Sequence, residues 1–105
     1  MSDLIQLRDA MRAFTKARDW ERFHDPKSLL LALVGELGEL TELFQWLPSE
    51  DAKNLAVNEP LRTRAGEEIA DVLLYLIRFA DVLEIDLRES CERKLRLNAD
   101  KHPES

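Results

Sequence analysis

Histidine, cysteine and glycine are all scarce in this chain of 105 residues, and each shortage closes off a class of function. The only cysteine, Cys91, excludes an intramolecular disulfide and a multi-thiolate metal site. It falls in a helical pattern and is expected to be a buried or half-buried small residue. The chain has only His24 and His102, and Glu21-x-x-His24 is its single Glu-x-x-His spacing, whereas di-iron bundles need such a pair on each of two helices. Neither a Gly-rich phosphate loop nor a serine–histidine nucleophile pair is present. No apolar run reaches the roughly 18 residues of a membrane span, and Asp3 and Arg8 interrupt the N-terminus. A cytoplasmic protein with no membrane partner is therefore expected.

Charge is the next exclusion. A net charge of −6 disfavours long nucleic acid, whose binding requires phosphate neutralisation by Lys and Arg. Acidic proteins bind phosphates chiefly through a divalent cation that inverts the local sign.

What is abundant is helix-forming sequence. Leu, Ala, Glu and Arg dominate, and β-branched residues are few. Four helical segments are predicted, forming one all-α domain over residues 1–105, a small antiparallel four-helix bundle. The first runs from about Ser2 to Asp19, with Leu4, Leu7, Met11 and Phe14 at helical spacing. Pro26 disfavours helix at Asp25, so the second begins near Ser28 and runs to Leu47, before Pro48. A polar connection, "PSEDAKNLAVNEP", has room for a short turn but shows no sustained period. The third runs from Pro60 to Leu83, apolar nearly all round as a central helix should be. The fourth runs from Asp86 to Lys101, with Asp86 and Glu89 as a loose capping box.

The second helix contains a conflict. At about 100° per residue, Leu29, Leu33, Leu40, Leu43 and Leu47 all project within about 60° of Glu36. Glu36 is thus on the apolar face, Glu39 is at its edge, and Glu42 has rotated to the surface. Gly35 and Gly38 sit among them, although each glycine costs a helix roughly 1 kcal/mol against alanine. The third helix repeats the theme with Glu68 and Asp71 on one strip with Tyr75. Arg64 and Arg78 share that strip, and surface ion pairs would account for these acids if they stood alone. Taken together, two core helices could converge four carboxylates, a set stable in a low-dielectric site only if protonated or neutralised by cations. All-oxygen ligands favour Mg²⁺, or Mn²⁺, over zinc. The glycines then leave room beside the carboxylates for a helix or a ligand.

"GELGEL" followed by "EEIADVLLYL" resembles the MazG-like all-α nucleotide pyrophosphohydrolases. "RDWERFHDPKSLLLALVGELGELTELFQW" and "KLRLNADKHP" are similar to the dCTP pyrophosphatase branch of that family. The resemblance covers Phe14 to Pro103. It implies an enzyme that converts a nucleoside triphosphate and water to the monophosphate and pyrophosphate, with dCTP or 5-modified dCTP as substrate. Glu36, Glu39, Glu68 and Asp71 would be its Mg²⁺ ligands, and Glu36, the most embedded, would activate the water. By the same resemblance Trp20 and Trp46 wall the base, His24 contacts base or sugar, Tyr75 packs under the sugar, and Lys94 and Asn98 contact phosphate and base. A homodimer or homotetramer with a pocket built across subunits is implied too.

Two departures, "LPSED" without a lysine and His102 where the branch commonly has tyrosine, bear on the base and not on the reaction. They leave dUTP or another non-canonical nucleotide open. From a different class, a helical interaction module that had lost the chemistry would have no use for charges on an apolar face.

Overall fold

Residues 2–104 are described by a computed structural model, and among them there is no strand. The helices are α1 (Asp3–Ala17), α2 (Pro26–Glu42), α3 (Ala52–Ala56), α4 (Leu61–Val82) and α5 (Leu87–Lys101), with a single 3-10 turn at Glu21–Phe23. None of them is long and apolar enough to cross a membrane.

Side chains set most of the helix starts. The Ser2 hydroxyl accepts from the Ile5 N–H at 3.2 Å, opening α1. The Asp25 carboxylate accepts from the Ser28 N–H at 2.9 Å and from the Ser28 hydroxyl at 2.7 Å. These two bonds let α2 begin at Pro26, two residues before the expected start, with the proline in the first turn where its missing N–H costs nothing. Asp86 caps α5 by accepting from the Glu89 N–H at 3.0 Å.

The ends of α1 and α4 follow a rule the sequence conceals. Asp19 and Glu84 hold positive φ, 55° and 57°, at a position that usually carries glycine. In the first case the Trp20 N–H reaches Thr15 O at 3.0 Å and the Asp19 N–H reaches Lys16 O at 3.1 Å. In the second, Ile85 N–H reaches Ala80 O at 2.8 Å and Glu84 N–H reaches Asp81 O at 3.0 Å. Both are Schellman caps, and the left-handed residue turns the chain back sharply.

Packing centres on α4, which receives α2 along one side and α1 along another, while α3 touches it more briefly. Leu29, Ala65, Ile77 and Ala80 are the buried apolar residues, Leu29 being only 2 % exposed. Thr15, fully buried, satisfies its hydroxyl by donating to Met11 O at 2.6 Å. The predicted face of α2 is the one turned inward: Leu33, Leu40, Leu43 and Leu47 are half-buried, whereas Leu30, Leu31, Val34 and Leu37 are exposed.

α5 does not complete a closed bundle within one chain. From Arg88 to Glu104 every residue is exposed, and the expectation of a buried or half-buried Cys91 fails because its helix stands away from the core. The radius of gyration shows the same thing, 16.6 Å against roughly 13 Å for a compact domain of this length. α2 also stops at Glu42, short of Leu47. Phe44 and Gln45 N–H groups share Thr41 O, and the chain continues as turns.

Candidate active site

Because α2 and α4 are the main helix pair, the carboxylates on their facing sides are brought together. Glu36, Glu39 and Glu68 each offer an oxygen, and these oxygens lie within 4.8 Å of one another. Asp71, exposed and one turn after Glu68, is close enough for its charge to act on both Glu36 and Glu68.

The electrostatics are those of a site short of positive charge. Burial pushes the Glu36 carboxyl above the usual carboxylate range, and the charges of Glu39, Asp71 and Glu68 push it further. Glu68 is raised in the same way, by burial first and then by Glu39, Asp71 and its neighbour Glu67. Glu36 Oε2 and Glu68 Oε2 are buried without any hydrogen-bond partner. Buried carboxylate oxygens are ordinarily satisfied. Two orphaned ones, on opposite helices and within reach of a third carboxylate, match the donor set of a hard cation. This cluster could hold a metal ion.

The glycines have a different surrounding from the one expected of a helix contact. Among the described residues nothing lies within 4 Å of where a Cβ would stand on Gly35, Gly38 or Gly66. The space beside them is open, so no helix of this chain requires them.

The other candidate residues are more dispersed. Trp20 meets Phe14 edge-on, with ring centroids 5.6 Å apart. That is the apolar contact a Schellman cap commonly makes, and it leaves Trp20 45 % exposed. Trp46, in the turns after α2, is 86 % exposed. Tyr75 is half-buried on α4, one turn beyond Asp71, and His24 is half-buried just before the Asp25 cap. Lys94 and Asn98 are exposed on α5, outside the carboxylate group.

The MazG-like family model matches residues 32–105 of this chain. The chain belongs to the MazG-like family. It is 42 % identical to dCTP pyrophosphatase 1 of Bos taurus and 40 % identical to that of Homo sapiens, each over 95 % of this chain. It spans 59 % of the length of those relatives. A solved pyrophosphatase from Archaeoglobus fulgidus DSM 4304 superposes with a TM-score of 0.88 at 38 % identity, covering 99 % of this chain and 95 % of that one.

Arg78 is the residue whose role the MazG-like pattern left out. On the sequence it shares the strip of Glu68 and Asp71, as a partner for those acids. Its guanidinium engages Asp81 and His24 instead. The only sequence signal was the i, i+3 spacing of Arg78 and Asp81. With Arg78 engaged there, Glu68 keeps its unpartnered oxygen.

If repulsion within the cluster is uncompensated in metal-free protein, Glu68→Gln should melt several degrees above the parent chain in chelator. Millimolar Mg²⁺ should stabilise the parent and leave the variant nearly unmoved. A variant that melts lower in chelator and still responds fully to Mg²⁺ would contradict this electrostatic account.

Proposed function

We propose that this MazG-like chain is a Mg²⁺-dependent nucleotide pyrophosphohydrolase, with Mn²⁺ an effective substitute. The observation that carries the reading is the meeting of Glu36, Glu39 and Glu68 with two buried, unpartnered oxygens. The relatives named dCTP pyrophosphatase 1 support dCTP or 5-modified dCTP as the substrate. The role of this chain would be the removal of such nucleotides from the cytoplasmic pool.

Glu36, Glu39, Glu68 and Asp71 would hold the cation. When bound, it offsets the triphosphate charge and makes the α-phosphorus more electrophilic. Glu36, the carboxylate set among the leucines of α2, accepts a proton from the attacking water. The water oxygen bonds to the α-phosphorus as the bond from that phosphorus to the α,β-bridging oxygen breaks. Pyrophosphate leaves with the electron pair, and the monophosphate remains. Trp20 and Trp46 supply aromatic surface for the base, His24 a polar contact, and Tyr75 a wall under the sugar.

Lys94 and Asn98 complete the pocket from a second copy of the chain. The support is the exposed α5 together with two outward apolar stripes, Leu30, Val34 and Leu37 on α2 and Ile69, Leu73 and Leu76 on α4. The open space at Gly38 and Gly66 would let that copy approach closely. Light scattering at micromolar concentration should report a multiple of 12.2 kDa. A monomer would rule out a pocket shared in this way.

The reaction is tested by incubating the protein with each common ribo- and deoxyribonucleoside triphosphate, and with 5-methyl-dCTP, in Mg²⁺ or chelator. Mg²⁺-dependent formation of dCMP or its 5-methyl analogue with pyrophosphate is expected. Glu39→Ala and Asp71→Ala should each lower kcat by at least about a hundredfold while keeping the helical circular dichroism. Diphosphate and orthophosphate as products, or full activity in both variants, would refute the mechanism.

A further inference from the structure

Arg78 and Asp81 have side chains only 11 % and 9 % exposed, and they belong to a chain of charged contacts away from the carboxylate cluster. Asp81 accepts from Arg12 Nε at 2.8 Å and Nη2 at 2.6 Å, tying α1 to α4. Its Oδ2 also lies 3.4 Å from Arg78 Nη1. Arg78 Nε in turn donates to His24 Nδ1 at 3.0 Å. The His24 backbone N–H donates to Glu21 O at 3.1 Å, so both the ring and the main chain of this residue are held.

The direction of the Arg78–His24 bond is chemically forced. A guanidinium has five N–H donors and no acceptor, so Nδ1 must present its lone pair and the ring proton must sit on Nε2. We propose that Arg78 is a positioning residue that locks His24 as the neutral Nε2–H tautomer, so that the ring offers the nucleotide a hydrogen-bond donor.

Placement supports the second half of this statement, which rests on the nucleotide reading above; the first half does not. Seven residues separate Asp71 from Arg78, so the two share one strip of α4, about 10.5 Å apart along the axis. Tyr75 lies between them. A nucleotide with its phosphates at the carboxylates could extend along this strip toward His24.

Around this corner the charged groups are Asp9, Arg12 and Lys16 from α1, Glu21 from the turn, Asp25 beside the histidine, and Arg78 and Asp81 from α4. Hydrogen bonding from Arg12 keeps the Asp81 carboxyl below the usual range, so Arg78 retains its anion. Burial, and then the charge of Arg78, hold the His24 pKa below that of a free imidazole. A protonated His24 would set N–H against N–H and cation against cation. The ring is therefore a donor at neutral pH, and the lock opens only as pH falls through its lowered pKa.

The chain has two histidines, and a His102→Gln variant assigns their signals in long-range ¹H–¹⁵N spectra. His24 should appear at pH 7 as the Nε2–H tautomer, titrating below about 6.5. Arg78→Met should give mixed tautomers and a higher midpoint, and Arg78→Lys should restore the single tautomer. An Nδ1–H ring in the parent protein, or a tautomer and midpoint unmoved by Arg78→Met, would overturn the lock without reference to activity. On the enzyme, Arg78→Met should raise KM for the preferred nucleotide about fivefold, with kcat little changed. If the spectra change and KM does not, the donor role toward the nucleotide is wrong. If no nucleotide is turned over at all, the pyrophosphohydrolase reading fails while the spectra still decide the lock.

Discussion

Two carboxylate oxygens, Glu36 Oε2 and Glu68 Oε2, are buried on facing helices with nothing to bond to, and the arrangement of this small protein follows from holding them there. Carboxylates removed from water and placed beside one another repel, and both respond by raised pKa values. The fold tolerates this because the surrounding face of α2 is a run of leucines packed against α4, with Leu29 at its inner end. α4 is fixed from its other side by the Arg12–Asp81 pair, so it cannot rotate the acids outward without breaking a bidentate contact. Destabilisation at the site and stabilisation elsewhere are distributed along one helix.

That helix also keeps one cation away from the acids. Glu68 and Asp71 lie toward its N-terminal half, and Arg78 lies two turns further along the same strip. Had Arg78 paired with the acids, it would have offset one of their charges. Asp81 and His24 engage it instead, which leaves the carboxylates without that charge. The unpaired state of the carboxylates is therefore maintained by contacts some distance from them.

Much of this was legible from residue order alone. The rotation of Glu36 among leucines placed it on the inward face, and the same arithmetic put Glu42 on the surface, where it lies. The pairing of two acidic motifs required only that α2 and α4 be neighbours. Other features were hidden because their causes are not periodic. α3 is too short to show a period, and the left-handed caps at Asp19 and Glu84 use residues that give no glycine signal. The end of α2 at Glu42 depends on Thr41 O accepting two N–H groups, which no spacing rule anticipates. Cys91 was misplaced because a helical pattern does not say whether its helix reaches the core. The open space at the glycines and the outward leucines share that origin: the helical period does not say that no other helix of the chain covers them.

The α2–α4 carboxylates could hold a cation, because without one they are relieved only by taking up protons. The most direct measurement is electron paramagnetic resonance of free Mn²⁺ titrated with the protein, comparing the parent chain with a Glu36→Gln, Glu68→Gln double variant. The account predicts that the parent removes the free-ion signal in proportion to protein added and that the double variant leaves it almost intact. A signal that persists with the parent, or that falls equally with the variant, would contradict it.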